Sequence, residues 1–181
     1  IKSSAASDVY KRQAMVQPED TVVLAGDLSW GMTLPQAKAD FAFLETLPGQ
    51  KIILKGNHDY WWNSMKKMQQ FFADNGFDSL HILHNNHYAF QQYGICGTRG
   101  WVSINGETAD AKVLAREVQR LEVSIQSARK EQLTPIVFLH YPPIYGNSYN
   151  YEILEVLHRY AITELSLIHI SEPTRRSYMS Y

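Results

Sequence analysis

Three short apolar runs, each ending in a polar turn, constrain this chain more than any other feature. Residues 21–25 (TVVLA) run into Gly26-Asp27, and residues 51–55 (KIILK) run into Gly56-Asn57-His58-Asp59. Residues 135–139 (PIVFL) run into His140. Continuous β-branched stretches of this length read as strands buried on both faces, as in the middle of an α/β sheet. Between them lie segments of helical period. In residues 34–47, Leu34, Ala37, Phe41, Leu44 and Leu47 recur on one face, with Thr33 and Pro35 as start signals and Pro48-Gly49 as a stop. Residues 61–75 place Met65, Met68 and Phe72 on one face and close at Asn75-Gly76.

The longest helix is expected over residues 109–132, with Val113, Val118, Leu121 and Ile125 as its inner stripe and Arg116, Glu117, Arg120 and Lys130 among its exposed charges. A last helix is expected over residues 151–160. Residues 80–83, 88–91 and 93–96 read as short strands of a small meander, with a turn at Asn85-Asn86. Strands separated by helices imply a sheet with helices on its faces, an α/β architecture.

In such sheets ligand sites form outside the carboxyl ends of the strands. A carboxylate (Asp27), an amide oxygen (Asn57) and imidazoles (His58, His140) converging there suit a hard or borderline divalent metal. The adjoining glycines let backbone turn sharply and approach a ligand closely. Composition narrows the alternatives. With 45% apolar and 19% charged residues the chain is too hydrophobic to be disordered, and a net charge of −1 provides no broad footprint for nucleic acid. One cysteine, Cys96, excludes an intrachain disulfide framework and a multi-thiolate zinc site, and reads as a small core residue. No run approaches 18 apolar residues, so no membrane span is expected and a cytoplasmic location is.

GDLSW (residues 26–30), GNHD (residues 56–59) and the strand-terminal His140 resemble three of the five motifs of the calcineurin-like metallophosphoesterases. The longer runs GDLSWGMTLPQAKADF, LKGNHDYWW, ICGTRGW and LHYPP are similar to a bacterial subgroup of predicted phosphohydrolases. The resemblance implies a four-layer α/β/β/α sandwich and hydrolysis of phosphoesters at a centre of two divalent ions, Mn, Fe or Zn. Asp27 would bridge the two ions, Asn57 and His140 would ligate the second, and His58 would sit beside the substrate phosphate to protonate the leaving oxygen or stabilise charge on it. Asp59 would hold the loop or orient an imidazole. The implied substrates are phosphorylated small molecules or phosphodiesters.

The family's opening Asp-x-His and closing Gly-His-x-His do not occur in the sequence. The ends suggest why. Residues 3–13 (SSAASDVYKRQ) and 165–175 (LSLIHISEPTR) resemble in-frame translations of two transposase-type sequencing adapters. Residues 1–13 are therefore expected to be adapter-derived, residues 14–164 to be a truncated domain, and residues 165–181 to be largely adapter-derived. Counted over residues 14–164 alone, 12 basic and 16 acidic residues leave a net charge of −4. The sandwich should then lack its first and closing strands, and the chain should be inactive through truncation. The strand-like alternation of LSLIHI could nonetheless occupy an edge in place of a closing strand.

Several residues have plainer readings. Asp27 could be a turn or cap residue, Asn57 a left-handed turn residue, and His140 a satisfied core histidine. His81, His84 and His87 are spaced so that they scatter over different faces. Trp61 and Trp62 could pack in the core or wall the pocket. Arg99 could reach substrate phosphate with its fork of donors or form a structural ion pair. Tyr145, with Asn147 and Tyr149, could shape a leaving-group pocket. The alternative to an enzyme is a protein-binding module that keeps the fold without the catalysis.

Overall fold

The computed structural model describes residues 16–101, 108–145, 148–163 and 165–167. Strand β1 (Thr21–Leu24) leads to helix α1 (Leu34–Glu45), then to β2 (Gln50–Leu54), helix α2 (Met65–Asn75) and β3 (Leu80–Leu83). A hairpin of β4 (Tyr88–Phe90) and β5 (Tyr93–Thr98) precedes helix α3 (Thr108–Lys130) and strand β6 (Thr134–Leu139). A short ribbon, β7 (Ile144–Tyr145) and β8 (Ser148–Tyr149), leads to helix α4 (Tyr151–Arg159) and strand β9 (Leu165–Leu167).

The strands form two principal sheets. In the first, β1, β2 and β3 are all parallel in that order. In the second, β4 pairs antiparallel with β5, β5 parallel with β6, and β6 parallel with β9. Residues 80–83 therefore do not form a meander with residues 88–96. A strand preceded by a helix returns parallel to its own sheet, so β3 joins β2, and the chain changes sheets at the Asn85-Asn86 turn.

Three apolar clusters fill the spaces between layers. Ala37 and Phe41 of α1 and Met68 and Phe72 of α2 pack with Ile53, Leu80 and Ile82 on one side of the first sheet. Ala25, Ile52, Leu54, Leu83 and Ile95 fill the gap between the sheets, with Val23, Tyr88 and Phe138 against them. Leu121, Ile125 and Ala128 of α3 and Ile153, Val156 and Leu157 of α4 cover Cys96, Val137 and Leu139 of the second sheet. Helix, sheet, sheet and helix thus stack in four layers, each strand facing apolar neighbours on alternate sides.

Local departures from the sequence reading have physical causes. Strand β1 is only half-buried along Thr21–Val23, because among the described residues it has a partner on one side alone. Helix α2 begins at Met65 rather than at residue 61, since the indole of Trp61 is tied down by Asp59 (3.0 Å) and Trp61 is buried in the core. The helix closes on Gly76, whose φ of 68° is the left-handed conformation glycine adopts without strain. Glu117 is buried rather than exposed. It precedes Leu121 and Ile125 by one and two turns and so lies on the inner face of α3.

Candidate metal centre

The loops after β1 and β2 cross at two glycines. A Cβ on Gly26 would lie 2.5 Å from both Cα and N of Gly56 and 2.8 Å from Nδ1 of His140. A Cβ on Gly56 would overlap Oδ1 and N of Asp27. Both motif glycines are therefore required by close approach of backbone to backbone. Asp27 follows Gly26 with φ at 57°, a left-handed conformation that aspartate tolerates better than most residues.

Asp59 holds this crossing in place. Its buried carboxylate accepts hydrogen bonds from the backbone N–H groups of Asp27 (2.8 Å), Leu28 (2.9 Å) and Gly56 (2.7 Å) and from the Trp61 indole. These contacts join the two loops, and none of Asp59's described hydrogen bonds reaches an imidazole.

His140 enters from the second sheet. Its Nδ1 lies 2.8 Å from the carbonyl oxygen of Ala25, which can only accept, so Nδ1 carries the proton. The Asn57 backbone N–H donates to Nε2 (3.4 Å), so Nε2 presents a lone pair. That lone pair faces Oδ1 of Asn57 at 2.7 Å and Oδ2 of Asp27 at 3.7 Å. Three electron-pair donors converge, and two of them stand at hydrogen-bond distance with no proton between them in the neutral tautomer. A divalent cation placed among them would relieve that repulsion, and carboxylate, amide oxygen and imidazole nitrogen suit one chemically. The set is small: among the described residues no three His, Cys, Asp or Glu side chains group to hold a metal.

His58 lies beside the donors. Its backbone N–H donates to Asp27 Oδ1 (2.8 Å) and its Nδ1 to Asp27 Oδ2 (3.0 Å), while the Asn57 side-chain amide approaches both ring nitrogens. Burial alone would push the Asp27 carboxyl up. The backbone and side-chain hydrogen bonds from His58 outweigh it, and the carboxyl sits below its ordinary value, lower still when either nearby imidazole is protonated. Trp30 stacks on the His58 ring at 4.8 Å with 28° between planes, and Tyr60 meets it edge-on at 6.1 Å. Both aromatics lie within the quoted motifs, GDLSW and LKGNHDYWW, but the motif reading assigned neither a role. On the core side, Tyr141 packs edge-on against His140 at 4.9 Å.

Arg99 is directed elsewhere. Its Nη2 lies 3.7 Å from Glu117 Oε1 and its guanidinium lies over the Trp101 ring at 4.8 Å. The expectation for Tyr145 and Asn147 falls outside the described side chains. Tyr149 is exposed and stacks on Tyr151 at 5.9 Å. Of the three clustered histidines, His81 bonds Gln50, His87 bonds Ser127, and His84 meets Trp62 edge-on, so they do not converge.

No helix among the described residues is long and apolar enough to cross a membrane. Neither curated proteins nor solved structures provide a match to the chain. The family model described as calcineurin-like phosphoesterase matches residues 4–167, most of the sequence. With paired motif loops at the strand ends and a four-layer fold around them, the chain belongs to the calcineurin-like phosphoesterase family.

Proposed function

We propose that this chain carries one half of a dinuclear phosphoesterase centre, with Asp27, Asn57 and His140 as ligands and His58 on the substrate side. The observation that carries this reading is the convergence of Asp27 Oδ2, Asn57 Oδ1 and the unprotonated Nε2 of His140, whose tautomer is set by the Ala25 carbonyl. When bound, divalent ions would polarise the phosphoryl oxygens and acidify an attacking water. The chain's own residues supply the rest. Asp27 accepts from Nδ1–H of His58, so the doubly protonated ring would pass its Nε2 proton to the departing oxygen and remain neutral with Nδ1–H on Asp27, a role worth about 10²–10⁴-fold in general. Trp30, stacked on the ring, limits its rotation. Asp59 keeps the two loops at the spacing the donors need.

The substrate class is a phosphomonoester or phosphodiester. Within residues 14–164 the net charge of −4 argues against nonspecific nucleic-acid hydrolysis. Three donors are few for two ions, so the chain should bind metal weakly and turn over little substrate. A longer reading frame with Asp-x-His before residue 14 and Gly-His-x-His after residue 164 would complete the set. Calorimetric titration with Mn²⁺ and Zn²⁺, paired with a bis(p-nitrophenyl) phosphate assay, tests this. Weak saturable binding with little turnover is expected, and robust turnover by this chain overturns it.

A further inference from the structure

A cleft opens at the carboxyl ends of β2, β3 and β5 and against α3. It is lined by Lys55, His84, Thr98, Arg99, Glu117 and Arg120 and shares no residue with the Asp27, Asn57 and His140 cluster. Among the described lining residues, three cations face a single carboxylate. Glu117 is already committed: it accepts from Thr98 Oγ1 and from Arg120 Nη1 (2.5 Å), with Arg99 Nη2 at 3.7 Å. Arg99 Nε is buried and has no hydrogen-bond partner among the described residues. A buried guanidinium N–H left unpaired is costly, and excess positive charge inside a protein is costlier still unless something negative meets it.

From this surplus we infer an oxyanion-binding site of the phosphate class, in which one anion oxygen fills the cleft against Arg99 Nε and the others lie at its mouth between Lys55 and Arg120. The dimensions suit this division. The cavity itself is water-sized, enough for one oxygen atom, while Arg120 is about a third exposed at the opening. The fork of Arg120 and the ammonium of Lys55 are the donors that planar and tetrahedral oxyanions take. Thr98 and Glu117 hold both arginines in place, so the anion meets donors already oriented. The inference extends beyond the proposed catalysis and does not depend on it.

The test is a titration of the full chain, in chelator-containing buffer at constant ionic strength, with inorganic phosphate and separately with glycerol phosphate. Arginine Nε–H resonances are followed by NMR, Arg99 being identified by the signal lost in Arg99→Lys. A saturable shift of the Arg99 signal, absent with chloride, is expected, with binding weakened about tenfold in Arg120→Gln, the worth of one charge-assisted hydrogen bond. The same anion should raise the melting temperature of the unsubstituted chain more than that of Arg120→Gln, a reading that stands even if Arg99→Lys fails to fold. Tighter binding of glycerol phosphate assigns the site to an ester-borne group, and tighter binding of the free ion to inorganic phosphate. Shifts no larger than chloride produces, which would leave a lone water in the cavity, overturn the site. So does binding that Arg120→Gln leaves intact and His58→Ala abolishes.

Discussion

Gly26 and Gly56 touch backbone to backbone where the loops after β1 and β2 cross, close enough that a Cβ on Gly26 would fall 2.5 Å from Gly56 Cα. The contact explains why both loops begin with glycine before any ligand is considered. Gly56→Ala forces its new methyl into Asp27, whose N–H and carboxylate have no slack because Asp59 and His58 hold them. A stability loss of about 3 kcal/mol is expected, the upper end for forced overpacking. Urea unfolding followed by tryptophan fluorescence measures it, and Gly76→Ala, where a Cβ meets nothing within 4 Å, should cost less.

Asp59→Ala removes one buried acceptor and strands four donors: the N–H groups of Asp27, Leu28 and Gly56 and the Trp61 indole. At about 1–3 kcal/mol for each unsatisfied buried group, partly relieved by water entry, the loss should exceed about 3 kcal/mol. Asp59→Asn keeps one acceptor oxygen and should lose less. Chemical denaturation of the two variants in parallel gives the ranking.

Asp27→Asn, which removes the one formal negative charge among the three donors, and His140→Ala, which removes a donor outright, should each weaken Mn²⁺ or Zn²⁺ binding by about tenfold or more. Gln70→Ala, at an exposed position of α2 whose amide donates to Asp74, should leave metal affinity nearly unchanged. Calorimetry on the three variants separates ligation from packing.

Burial pushes the Cys96 thiol up to about 12, only partly offset by its hydrogen bond to Ser124. The unfolded thiol ionises near its ordinary value of 9.0 while the native one stays protonated. This contribution to stability is therefore complete below pH 9 and is lost as pH rises toward 12, by up to about 1.4 kcal/mol per pH unit. Cys96→Ala should flatten the alkaline limb of a stability profile. Native protein at pH 8 should resist iodoacetamide, and modification at the rate of a denatured control would contradict the burial.

Among the described residues, strand β9 pairs on one side only, with Val137, Phe138 and Leu139 of β6. A three-residue edge strand opens at small cost, whereas β6 has partners on both sides and an apolar cluster against it. Amide exchange at residues 165–167 should therefore be orders of magnitude faster than at Val137 and Leu139. Equal protection across the two strands would make β9 an integral part of the sheet.

Strand identity, helix positions and the polar residues at the strand ends were legible because each is written in a short stretch. Residues 51–55 could hardly be other than a buried strand, and Asn57 and His58 follow it directly. Burial of Glu117 was legible too, from its spacing to Leu121 and Ile125, yet its charge disguised it. The start of α2 was not, because Asp59 holds Trp61 through a side-chain bond that no helical period predicts.

What the amino-acid order determined alone is which residues could ligate a metal and at which strand ends they stand. Tertiary structure decided which of them meet and in what chemical form. His140 lies 115 residues from the Ala25 carbonyl that sets its tautomer, and Arg99 meets Glu117 through Nη2 while its buried Nε is left without a hydrogen-bond partner among the described residues. Local periodicity carries no information about such pairs. They arise when two sheets stack and bring separate strand ends together, and that stacking is driven by apolar faces far from the polar atoms it aligns.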